Sequence, residues 1–79
     1  MKYFYVVDHF VPFPQSEYGG VWNVIAEHDE ECFDIITEAD EDEYVNFYGN
    51  LRENIKKSTI IPVDPQFQVE SGIIESFLT

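Results

Sequence analysis

The chain has 79 residues, with 16 Asp or Glu against 4 Lys or Arg and a formal charge of -12. That length holds one domain, and an apolar share of 44% belongs to a folded chain rather than a disordered one. Four cations are too few to neutralise a nucleic-acid backbone or to hold an anionic membrane, and Cys32 alone builds no disulfide framework.

A domain this small has a thin core. Five Tyr, seven Phe and Trp22 offset this, because each ring brings a large area to bury. No stretch approaches ~20 apolar residues, and the opening MKYFYVVDHF lacks a signal-peptide layout. The expectation is a soluble cytoplasmic protein, which a single unpaired cysteine also suits.

Lys2 to Val11 is rich in aromatic and β-branched residues and reads as a strand. Tyr3, Tyr5, Val7, His9 and Val11 fall on one face; Phe4, Val6, Asp8 and Phe10 fall on the other. Pro12 to Gly20, PFPQSEYGG, is a loop, since its prolines and Gly-Gly pair break regular structure. Val21 to Glu27 is a second strand with Trp22, Val24 and Ala26 on one face, pairing with the first as an antiparallel hairpin.

A short helix over Glu30 to Glu38 follows, with Asp29 as its N-cap. Cys32, Ile35, Ile36 and Ala39 recur at helical spacing, and Phe33 flanks them. A second helix begins at Asp40, where Asp40 and Glu43 stand three apart like a capping box. Tyr44, Phe47, Tyr48, Leu51 and Ile55 form its apolar stripe, and Arg52, Lys56 and Lys57 lie toward its end. Gly49 inside that pattern weakens it.

Thr59 to Val63 is a third strand, placed at a sheet edge by Pro62. Asp64-Pro65 turns the chain, Phe67 to Val69 fits a short strand, and Gly72 to Leu78 fits a strand better than a terminal helix. The order β-β-α-α-β-β implies an α+β two-layer sandwich, a small antiparallel sheet covered by two helices.

The charge is concentrated. Glu27, Asp29, Glu30, Glu31, Asp34, Glu38, Asp40, Glu41, Asp42 and Glu43 are ten acids within 17 positions that hold no Lys or Arg. The remaining six acids face four bases, so the rest of the chain is nearly balanced. Two helix N-termini with acidic first turns explain about half of these acids without any function. They do not explain the missing cations, since surface helices normally mix signs. In helical form 17 residues span about 25 Å, which gives roughly one charge per 2.5 Å. Duplex DNA carries one per about 1.7 Å. The run therefore reads as a surface for a basic partner, in its sharpest form an imitation of a nucleic-acid backbone.

Other chemistry is weakly represented. The run lacks the alternating ligands and central glycine of a calcium loop. His28 and Cys32 stand four apart, but only His9 remains as a third zinc ligand. Neighbouring acids disfavour a Cys32 thiolate, and no nucleophile elbow or phosphate loop is present. These features point away from an enzyme and imply no cofactor or metal.

The loop PFPQSEYGG is longer than most hairpin loops and displays Phe13 and Tyr18, residue types enriched at interfaces. The aromatic first strand is apolar on both faces, and Tyr3, Phe4 and Tyr5 suggest a sheet face that a second copy covers in a homodimer.

In size, acidity and lack of catalytic motifs the chain is similar to the small acidic proteins by which bacteriophages block host restriction, CRISPR or transcription machinery. No defined motif carries this resemblance. It implies an inhibitor that shows Glu27 to Glu43 to a nucleic-acid-binding enzyme in the host cytoplasm. The other expectation is an accessory protein that self-associates through its aromatic sheet.

Overall fold

The computed structural model describes residues 1–12, 19–41 and 44–78. Its strands are β1 (Tyr3–Asp8), β2 (Gly20–Ala26), β3 (Thr59–Pro62) and β4 (Gly72–Leu78). Its helices are α1 (Asp29–Ala39) and α2 (Tyr48–Lys57), the latter preceded by a 3-10 turn over Val45–Phe47. The strands form one antiparallel sheet in the order β3-β1-β2-β4. With α1 packed over β2 and α2 over β1, this is the two-layer α+β arrangement that the element order implies.

Strand alternation sets the core. Tyr3 faces Ala26, Tyr5 faces Val24 and Val7 faces Trp22 across the β1–β2 ladder. These side chains point to the helices, where Cys32 and Ile36 of α1 and Leu51 and Ile55 of α2 complete a buried cluster. The i, i+4 spacing of each helical pair keeps both members on one face. Truncating Ile36 or Leu51 to Ala, each fully buried, costs about 2–5 kcal/mol.

β1 ends at Asp8 rather than running to Val11. His9 N still donates to the Gly20 carbonyl at 2.9 Å, but α2 then takes over the chain's carbonyls. Asn54 Nδ2 donates to Asp8 O at 3.1 Å and His9 O at 3.3 Å, and Asn50 Nδ2 donates to Phe10 O at 3.4 Å. Leaving the ladder breaks the alternation, so Phe10 turns into the core instead of joining Phe4 and Val6. Its ring stacks on Trp22 at 6.4 Å and meets Tyr48 edge-on at 5.7 Å.

His28, not Asp29, caps α1: its Nδ1 accepts from Glu31 N at 3.1 Å. Nor does the second helix begin at Asp40. Asp40 closes α1, and its Oδ2 accepts from Tyr44 N at 2.8 Å. Phe47 N then donates to Tyr44 O in a 3-10 turn. Val45 and Asn46 are poor helix formers, which suits a tight turn better than a first α-helical turn. Gly49 consequently lies in the first turn of α2, not in a helix interior.

β3 occupies a sheet edge, as Pro62 implies. Val63 N donates to Lys2 O at 3.0 Å, so the ladder's alternation turns the Pro62 nitrogen to the open side, where no donor is needed. β4 is a strand on the other edge, and its ladder with β2 is interrupted between Asn23 and Val24, leaving Ile74 as the extra residue. Phe67 to Val69 is not a strand. Phe67 N donates to Asp64 O and Val69 N to Phe67 O, which commits these groups to local turns.

Candidate functional site

The acids of the run fall into two groups once the helix is built. At 3.6 residues per turn, Cys32 and Ile36 face the sheet, and Glu30, Asp34 and Glu38 form a row on the opposite side. All three are exposed, as are Glu27 before the helix and Glu41 after it. A rise of 1.5 Å per residue sets Glu30 and Glu38 about 12 Å apart along the axis.

The other group holds the fold. Asp29 Oδ1 accepts from the Tyr5 hydroxyl at 2.9 Å. Burial, then this bond and the Asp29 charge, push the Tyr5 phenol well above its ordinary range. Glu31 Oε1 accepts from Glu27 N and from the Ser71 hydroxyl, each at 2.8 Å. Those bonds hold its carboxyl below the usual range. Asp40 serves Tyr44 N and the Tyr48 hydroxyl, the latter at 3.1 Å.

The chain turns at Asp40, whose backbone is extended, so the run is not one straight helix and its charges spread over a bend. Asp42 and Glu43 lie outside the described residues, as do Phe13 and Tyr18 of the long loop.

Sequence spacing missed one participant. Arg52 of α2 reaches across to Glu30 at 2.6 Å, with its guanidinium carbon 3.8 Å from the Phe33 ring centroid. No cation lies within the run, but one arrives from 22 residues away and covers its N-terminal end. Only knowledge that α2 packs beside α1 could have placed it. Among the described residues, Asp34, Glu38 and Glu41 enter no ion pair.

The remaining candidate ligands are dispersed. Cys32 is fully buried. Burial first, then the charges of Asp29 and Glu31, push its thiol up to about 12. His28 spends Nδ1 on the helix cap, and His9 Nδ1 accepts from Trp22 Nε1 at 3.1 Å. Among the described residues no group of three or more His, Cys, Asp or Glu is placed to hold a metal ion. Nor is any described helix long and apolar enough to cross a membrane.

Tyr5, offered by the sequence as part of a subunit interface, is buried against the helices of its own chain. The sheet face turned away from the helices carries Phe4, which the sequence also offered, with Val6, Val21, Ile61 and the buried Ile25. What the site does present is an outward carboxylate row on α1, continued by Glu41 and preceded by Glu27. Comparison with protein-family models, curated proteins and solved structures finds no match to this chain.

Proposed function

We propose that this is a non-enzymatic, acidic protein-binding module that docks the outer face of α1 on a basic surface. Its best-fitting partner is a nucleic-acid-binding enzyme, whose phosphate-binding surface the carboxylates would occupy. It would act as a stoichiometric inhibitor in the cytoplasm, a role suggested by its size, its acidity and its lack of catalytic motifs.

The observation that carries the reading is where the unpaired acids sit. Asp34 lies between Glu30 and Glu38, four residues from each, where like charges destabilise a helix. Glu38 lies in the last turn of α1, which holds no basic residue and where the helix dipole disfavours negative charge. Acidic helix starts account for Asp29, Glu30 and Glu31, and turn formation accounts for Asp40. Neither accounts for Asp34, Glu38 and Glu41. Charge placed where folding disfavours it supports a surface used for binding rather than for stability.

The test is retention of nucleic-acid-binding proteins on the immobilised chain, with duplex DNA as competitor. The variant replaces Asp34, Glu38 and Glu41 with Lys and spares Asp40, which the fold uses. The wild type should retain its partner at low salt. It should release that partner to DNA and at ~0.5 M salt, where the Debye length is about 4 Å. Equal retention by the variant would sink the proposal.

A second reading, self-association through the open sheet face, draws on Ile61, 50% exposed, beside Phe4. Both sheet edges oppose edge-to-edge growth, β3 by its shortness and Pro62, β4 by its bulge and Glu75. A monomeric sedimentation profile at high concentration would remove this reading.

A further inference from the structure

The crossover from β3 to β4 passes the end of the sheet where β1 starts and β2 stops. Between it and the chain around Lys2 and Glu27 lies an open cleft of about 520 Å³. Apolar groups enter it from Val63, Phe67 and Val69. Phe67 is 68% exposed and is the one exposed aromatic among the described side chains. It is held there by the Asp64 turn, in which Asp64 Oδ1 accepts from Gln66 N and Asp64 O from Phe67 N, both at 2.9 Å. Lys2 Nζ donates to Val69 O at 2.7 Å and pins the far side. The turn fixes the backbone that carries the ring, so less ordering of the chain is left to be done on binding.

The rim is acidic. Glu27, Asp64 and Glu70 line it against Lys2 and, where the chain starts at Met1, its amino group. The cleft adjoins the start of the acidic run, because Glu27 both lines it and opens that run.

We infer that the cleft receives an apolar side chain of the basic partner, flanked in sequence by Lys or Arg. Apolar burial against Phe67 and Val69 supplies affinity, and the rim carboxylates select cationic flanks over acidic peptides and fatty acids. This inference rests on the reading of α1 as a surface for a basic partner and names a second contact on that partner.

The experiment is an amide chemical-shift titration of the labelled, full chain with three tripeptides: acetyl-Lys-Phe-Lys-amide, acetyl-Glu-Phe-Glu-amide and acetyl-Lys-Gly-Lys-amide. The first should shift Glu27, Val69 and Glu70 amides with a Kd on the order of millimolar, at least about tenfold tighter than the glycine peptide. The acidic peptide should leave them unmoved. Phe67→Ser, at an exposed site, should abolish the response with the circular dichroism unchanged. Glu70→Lys, a second exposed change, should weaken it. Asp34→Lys, Glu38→Lys and Glu41→Lys together should leave the response in place, so the cleft and the α1 face fail separately. No shift at the cleft, equal shifts from the acidic peptide, or survival of the shifts in Phe67→Ser would each overturn the inference. So would cleft shifts that follow protein concentration without peptide, which would mean that a second copy fills it.

Discussion

Replacing Asp34 with Lys should raise the melting temperature of the free protein. Asp34 is exposed and sits mid-way along the 11 residues of α1, where the helix dipole has little effect. Its neighbours on the outer face are Glu30 and Glu38. A like-charge pair four apart costs about 0.2–0.5 kcal/mol, and an opposite pair returns a similar amount. Two pairs reversed give at most about 2 kcal/mol. Arg52 already screens Glu30, and the new lysine would stand N-terminal to Glu38, the weaker orientation, which brings the gain to about 1 kcal/mol. For a domain of this size that is about 4–8 °C. Thermal unfolding followed by circular dichroism should show the rise at ~0.01 M salt and a smaller one at ~0.5 M, as the Debye length falls from about 30 to about 4 Å. An unchanged or lower melting temperature at low salt would mean that Asp34 supports the fold. The row would then be explained by folding, and the support it gives to a binding surface would be lost.

Glu31→Gln should flatten the acid limb of the stability curve. The native carboxyl titrates below its unfolded value because Glu27 N and Ser71 hold its charged form. Its contribution is therefore present above the unfolded pKa and is lost as pH falls through the native one; denaturant midpoints across that range, compared with wild type, check this. Cys32 should resist a disulfide reagent at pH 8 in the folded protein, because its thiol is fully buried and pushed up to about 12, and should react at once in denaturant. Fast native labelling would contradict the buried placement. Gly49→Ala should stabilise the chain by about 0.5–1 kcal/mol, since the position is helical, a Cβ there meets nothing within 4 Å, and alanine loses less backbone freedom. A drop in the denaturant midpoint would count against the α2 boundary.

Much of the fold is legible locally. Alternation in VWNVIA places Trp22, Val24 and Ala26 on one face because successive strand side chains point oppositely, and the helical recurrence of Cys32 and Ile36, or Leu51 and Ile55, identifies the faces that meet them. Pro62 marks an edge because it lacks a donor. The acidic run is legible as charge, and its bend at Asp40 follows from a residue that caps and turns. Where local reading fails, a distant group has intervened. Phe10 belongs to the core only because Asn50 and Asn54, far along the chain, draw the backbone off the ladder. The helix starting at Asp40 fails because Asp40 spends its carboxylate on Tyr44 and Tyr48 instead of on a cap.

The candidate site divides the same way. The sequence by itself determines that ten carboxylates share a short segment with no cation, and helical periodicity already puts Glu30, Asp34 and Glu38 in a row. Only the tertiary structure decides which acids are free to bind. Asp29 meets Tyr5 of β1, Glu31 meets Ser71 at the head of β4, and Glu30 meets Arg52 of α2. It also decides that Phe67 and Val69 stand beside Glu27 at one cleft. The physical reason is range: periodicity fixes relations over a few residues of one element, and these contacts join residues 22 to 42 apart, which packing alone brings together.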